Sequence, residues 1–171
     1  IPENVEGMLD GRTVTIKGEK GEIVRDFSHA PVNIQLDGKT VTVKASWPRK
    51  REAALVGTVS SHIKNMIKGV TTGYTYKLKI VYSHFPITVK VVGKYLTIAN
   101  FTGERSPRKA KIMGSCKVKI NGDDIIVQGI NLEDVSQTAA NIQNSTKIKS
   151  KDPRVFLDGI YVFEEHEGIV D

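Results

Sequence analysis

Lys147, Lys149 and Lys151 recur at every second position, and Arg154 follows just after Pro153. In an extended segment alternate side chains leave the backbone on the same side, so the three ammonium groups would project together. Arg154 adds a forked donor that suits a phosphate. Such a row is an anion grip, and the stretch by itself leaves the anion open. Two more basic groups stand elsewhere: Arg105, Arg108, Lys109 and Lys111, and Arg49, Lys50 and Arg51. Any one cluster reads first as solvated surface. Three together, in 171 residues with 25 basic and 19 acidic side chains and a net charge of +6, shift the reading to nucleic acid.

The remaining reactive side chains do not assemble into a recognisable centre. His29, His62, His84 and His166 fall in different elements, and none pairs with a Cys or second His at metal-ligand spacing. Glu164-Glu165-His166-Glu167 is expected to be a solvated acidic tail rather than a weak chelate. Asp123, Asp124, Asp134, Asp152 and Asp158 each have an ordinary place at a turn or helix start. Gly18-x-x-Gly21 falls between two strands, so it is not a phosphate-binding fingerprint. Cys116, the only cysteine, sits in an alternating run and is expected to pack as a small apolar group. No catalytic residue, metal or cofactor is expected. Aromatic content of 6%, with no aromatic triplet, disfavours recognition by base stacking. Folded RNA, gripped by shape and phosphates, fits better.

The elements that mount these loops can be read from periodicity. Leu132, Val135, Ala139 and Ile142 step by three, four and three, one face of a helix over residues 132–144. A strand is expected after residue 155, so the basic loop 147–154 is held at both ends. Val56, Val59, Ile63 and Met66 repeat the same steps, each 76 residues earlier (132 less 56), on a helix over 52–68 with Gly69 as its stop. Asp37-Gly38 and Asn121-Gly122 are matching hairpin signals. The chain therefore reads as a duplicated α+β protein of two similar domains, 1–82 and 83–171, each an antiparallel sheet with one helix packed on it. The second domain ends in the acidic tail. Residues 1–12 read as an opening segment, and the basic stretches 102–115 and 48–51 as loop insertions. No secretory segment or membrane span is seen, so an intracellular protein without a membrane partner is expected. Because the chain opens without Met, some of the gene product is expected to be missing.

Specific strings carry a resemblance. Lys151-Asp152-Pro153-Arg154 followed by Phe156-Leu157-Asp158-Gly159-Ile160-Tyr161-Val162 resembles the C-terminal signature of the large-subunit ribosomal protein six family in its archaeal and eukaryotic form. Residues 65–74 resemble that family's first helix end, Tyr82-Ser83-His84-Phe85-Pro86-Ile87 its interdomain linker, and Gly18-Glu19-Lys20-Gly21 its first turn. Asn100-Phe101-Thr102-Gly103-Glu104 departs from the family string, which usually has Leu where Thr102 stands; this alters local packing only. The resemblance spans nearly the whole chain. It implies two similar α+β domains, no catalysis, and binding to large-subunit ribosomal RNA chiefly through the second domain. The implied site lies near the sarcin–ricin loop and the stalk base, beside neighbouring large-subunit proteins and the docking region of translational GTPases. It implies a place in the cytoplasmic ribosome, and an archaeal source fits best. Two readings compete: a metal-dependent nucleic-acid enzyme using the aspartates, and a protein-interaction module with incidental basic charge.

Overall fold

Alternating apolar positions and turn glycines generate twelve strands among the described residues, and two 3.6-period stripes generate two helices. The computed structural model describes residues 1–149, 152 and 154–169. In chain order the elements are β1 (Glu6–Asp10), β2 (Thr13–Gly18), β3 (Gly21–Asp26), β4 (Asn33–Asp37), β5 (Thr40–Lys44), α1 (Lys50–Thr71), β6 (Tyr74–Val81), β7 (Thr88–Val92), β8 (Tyr95–Ala99), β9 (Arg108–Lys111), β10 (Lys117–Asn121), β11 (Asp124–Gly129), α2 (Leu132–Ser145) and β12 (Gly159–Glu167). All strand pairings among them are antiparallel. Among the described residues, no helix is long and apolar enough to cross a membrane.

The chain divides into two units, Ile1–Gly73 and Tyr74–Asp171. In the first, β1-β2-β3 form one sheet and β4-β5 a second, with α1 against β2, β3 and β5. Val59, Ile63, Met66 and Val70 of α1 are buried, so the helical stripe faces the strands as expected. Two details differ from the sequence reading. Residues 6–10 form β1, because Asp10-Gly11 is itself a hairpin turn, with Gly11 at φ 59°. The helix also runs through Gly69, which is buried, and stops at Gly73, whose φ of 78° breaks the helical path.

In the second unit, β10-β11-β6-β12 form a four-stranded sheet and β7-β8-β9 a three-stranded one. Each unit thus carries two sheets rather than one. Helix α2 packs on β9, β11, β6 and β12. Its Val135, Ala139 and Ile142 are buried with Leu78, Leu96, Ile98, Phe101, Ile125 and Ile160. Full burial of such a side chain stabilises by about 1.5–3 kcal/mol, against about 1 kcal/mol or less for an exposed ion pair. The apolar faces therefore hold the unit together. Asp37-Gly38 and Asn121-Gly122 behave alike: both glycines have left-handed φ (58° and 59°), and they close β4 on β5 and β10 on β11.

The boundary between units falls before β6, not after residue 82. Strand β6 directly follows α1 in sequence but hydrogen-bonds to β11 on one side and β12 on the other. The closing strands of the two sequence repeats are therefore neighbours in one sheet. Residues 164–167, expected as a solvated tail, belong to β12 and pair with Tyr74–Lys77 across a bulge after Val162.

Candidate nucleic-acid interface

At the C-terminal end of α2 the chain enters the basic segment that begins at Lys147. Ile148 is half-buried against the core, while Lys147 and Lys149 on either side of it are exposed. Neither lysine has an ion-pair partner among the described residues. This is the alternation that directs both ammonium groups outward. Lys151 lies outside the described residues. Beside Lys147, Gln143, Asn144, Ile148, Phe156 and Tyr161 line a recess of about 370 Å³.

Residues 105–111 are organised differently than expected. Arg108, Lys109 and Lys111 lie on β9, a strand rather than an inserted loop, because Ala110 is buried opposite Leu96 and so fixes the alternation. Lys109 and Lys111 are exposed, as is Arg105 in the preceding turn. Three hydrogen bonds tie this strand and the turn after it to α2: Asn141 Nδ2 to the Lys111 carbonyl (2.9 Å), the Met113 amide to Thr138 Oγ1 (2.9 Å), and Arg108 Nη1 to the Ser145 carbonyl (2.8 Å).

Arg108 does not belong with the solvated cations. Its Nε and Nη2 donate to the two oxygens of Glu104 (2.9 and 2.6 Å), and Nη1 reaches both the Ser145 and Lys147 carbonyls (2.8 and 3.3 Å). The guanidinium also lies 4.4 Å from the centre of the Phe101 ring. Asn100, Thr102 and Gly103 all have left-handed φ, and the resulting tight turn leads into Glu104. These bonds hold the Glu104 carboxyl below its usual range, Arg108 being the main cause. Arg108 thus caps the last carbonyls of α2 and joins β9 to the first residue of the basic loop. Replacing Arg108 with Ala is expected to destabilise the second unit by about 2 kcal/mol, from charge-assisted hydrogen bonds and a partly buried cation–π contact. Ala at Lys109 or Lys111 should change stability by no more than about 0.5 kcal/mol. Denaturant midpoints check this; an Arg108→Ala protein as stable as wild type would return Arg108 to the solvated set.

The loop's far end is organised by two aspartates. Asp152 accepts the Arg154 amide at 2.9 Å and its guanidinium at 3.2 Å twice, which lowers the Asp152 carboxyl below its usual range. The Arg154 side chain is 89% exposed, so this pair is worth little and an incoming phosphate can compete for the fork. Asp158 is different, with a side chain only 1% exposed. It accepts the Ser83 and His84 amides (3.2 and 3.1 Å) and faces His84 Nδ1 at 3.0 Å. The His84 ring stacks on Phe156 with centroids 4.5 Å apart. Burial alone would raise the Asp158 carboxyl; the bonds from His84 and Ser83 outweigh it and hold it below the usual range.

The other candidates are dispersed. Asp134 accepts Asn131 Nδ2 at the start of α2 (3.1 Å), and Glu164 binds Lys77 at 2.8 Å. Cys116 packs against the core, and its thiol is pushed up to about 11, chiefly by burial. In the first unit, Arg49, Lys50 and Arg51 are exposed but do not form a loop. Arg49 precedes α1, its amide bound by Glu52 Oε2 at 3.0 Å, and Lys50 and Arg51 lie in the first helical turn. One basic surface escaped sequence reading. Lys117 and Lys119 on β10 are exposed, and the register carries Lys119 across Ile126 to Lys77 and Glu164 on one face of the four-stranded sheet. Lys79, one pair further along, stands 3.9 Å from Asp124 Oδ1, too far for a hydrogen bond. The Lys-x-Lys spacing at 77/79 and 117/119 was the available signal.

The family model described as ribosomal protein L6 matches residues 1–73 and again 85–159. The large ribosomal subunit protein uL6 of Desulfurococcus amylolyticus is 52% identical over 172 residues, covering 99% of this chain and 94% of that protein. The uL6 proteins of Methanosphaera stadtmanae (55% over 168 residues, 98% and 91% coverage) and Aeropyrum pernix (53% over 165 residues, 96% and 91%) are similarly close. With both repeats matched and about half of all positions identical to archaeal relatives, the chain belongs to the ribosomal protein L6 family, in its archaeal form.

Proposed function

We propose that this chain is a structural constituent of the large subunit of the cytoplasmic ribosome. It binds large-subunit ribosomal RNA chiefly through its second unit, near the sarcin–ricin loop and the stalk base. Neighbouring large-subunit proteins surround it there, and translational GTPases dock close by. The observation that carries this reading is the exposure of Lys147 and Lys149 just past α2, neither with an ion-pair partner among the described residues, together with the exposed Arg105, Lys109 and Lys111 on β9 and the turn before it, which Arg108 and Asn141 tie to the same helix. A fixed spacing of point charges suits a phosphate backbone. Lys151 and Arg154 extend the same segment, and Arg49, Lys50 and Arg51 supply a secondary basic surface on the first unit. The reading calls on no catalysis, metal or cofactor: Asp134, Asp152 and Asp158 each accept hydrogen bonds from their own surroundings.

The test is retention of large-subunit ribosomal RNA by the purified chain in the absence of divalent metal. Intact RNA should be recovered, and the combined change of Asp123, Asp124, Asp134 and Asp152 to Asn should remove no activity. Metal-dependent cleavage abolished by those changes would put a nucleic-acid enzyme in its place. Capture of ribosomal proteins with no RNA would favour an interaction module.

A further inference from the structure

Trp47 is the only tryptophan, and it is 97% exposed. An indole normally supplies a large apolar area to a core or an interface, and here it supplies none to the fold. Its backbone is also unusual: φ is 51°, a left-handed conformation that a bulky residue adopts at a cost in strain. The residue occupies the short connection between β5 and α1. Immediately after it, beyond Pro48, come Arg49, Lys50 and Arg51, all exposed and none in an ion pair among the described residues. Lys50 and Arg51 stand in the first turn of α1, where positive charge opposes the helix dipole. The fold gains nothing from this combination. An anion carrying a flat ring would relieve both defects.

We propose that Trp47 is a stacking platform for an unpaired nucleobase, with Arg49, Lys50 and Arg51 taking the phosphates on either side of it. This rests on the reading of the chain as an RNA-binding protein and adds a base contact on the first unit. One aromatic followed by three cations within five residues is the combination that holds single-stranded RNA: the ring accepts any base, and the cations follow the backbone. A protein partner fits less well: tryptophan and arginine are both common at protein interfaces, but three consecutive exposed cations beside a lone aromatic leave no uncharged core for a partner to bury. A membrane surface would call for a wider apolar face, whereas Ser46 and Pro48 beside Trp47 provide none.

The single tryptophan makes the site directly observable. The full chain is titrated with large-subunit ribosomal RNA extracted from archaeal ribosomes, and tryptophan fluorescence is followed in parallel with filter retention of the RNA. Quenching should track retention. Trp47→Ala should weaken binding about tenfold, within the range for one base–aromatic stack, and Trp47→Phe should recover part of that loss. Neither should change the slope of affinity against salt, since no charge is removed; changing Arg49, Lys50 and Arg51 to Ala should flatten it. Because the indole touches solvent, neither variant threatens folding. Retention without quenching, or an unaltered affinity in Trp47→Ala, overturns the platform while leaving RNA binding intact. No retention by the wild type overturns both. A response to phosphatidylglycerol vesicles in place of RNA overturns the platform in favour of a membrane contact.

Discussion

Changing Lys147, Lys149 and Lys151 together to Ala should weaken binding to large-subunit ribosomal RNA by roughly a hundredfold at about 0.15 M salt. Each lysine that neutralises a phosphate contributes about 0.7–0.9 to the slope of log affinity against log salt. Three of them therefore contribute about 2–3, and the loss should fade as salt approaches about 1 M. Folding should survive, because Lys147 and Lys149 are exposed and the half-buried Ile148 that seats the segment is untouched. The matched comparison is Ala at Arg49, Lys50 and Arg51. If those changes weaken RNA binding more than the lysine changes do, the principal RNA face lies on the first unit. If the lysine triple leaves the salt slope unaltered, the loop makes no phosphate contact at all.

The second large effect is expected at Asp158. Its carboxylate is buried and holds two backbone amides and the His84 ring. Asp158→Ala removes the acceptor and leaves those donors unmatched. Hydrogen bonds to a charged group contribute about 1.5–3 kcal/mol each, and a stranded donor adds its own penalty, so a loss of about 3–4 kcal/mol is expected. Hydrogen exchange should localise it: the Ser83 and His84 amides should lose protection first, followed by β12. The same group predicts a pH effect. A carboxyl whose folded-state pKa is depressed contributes stability in full above its unfolded value, near 4, and loses it as pH falls through the folded value. Wild type should therefore lose stability below about pH 4, and the Ala variant should lack that part of the dependence. Unchanged protection at Ser83 and His84 in the variant would sink this account.

Local signals carried much of the fold. The three-four-three spacing located both helices because one face of each must be apolar, and Asp37-Gly38 and Asn121-Gly122 located two hairpins because a two-residue turn needs left-handed glycine. Gly11 performs the same service for β1, a hairpin that the reading of residues 1–12 as an opening segment leaves out. The allegiance of β6 was not legible, since alternation along Tyr74–Val81 fixes which side chains point inward and says nothing about which strands flank it. The candidate site divides in the same way. Exposure of Lys147 and Lys149 followed from alternation about Ile148. The role of Arg108 did not, because an arginine in a basic run looks alike in sequence whether it meets solvent or a helix end. Only Glu104, four residues before it, hinted at a partner. Residues 164–167 look like a solvated tail because acidic residues dominate there, yet their backbone pairs with β6 and Glu164 meets Lys77 across the two strands.

The placement of β6 also bears on synthesis. As the chain is made from its N-terminus, β6 emerges directly behind α1, before either of its neighbours in the sheet exists. Strand β11 follows more than forty residues later (124 less 81) and β12 almost eighty later (159 less 81). Until then both edges of β6 are open, and Leu78 and Ile80, fully or almost fully buried in the finished sheet, have nothing to cover them. Open edges with uncovered apolar side chains invite pairing with the wrong strand, including the same strand of another nascent chain. Lys77 and Lys79, alternating with those apolar positions, act as gatekeepers during this interval: their charges keep one face of the waiting strand hydrated and make like strands repel.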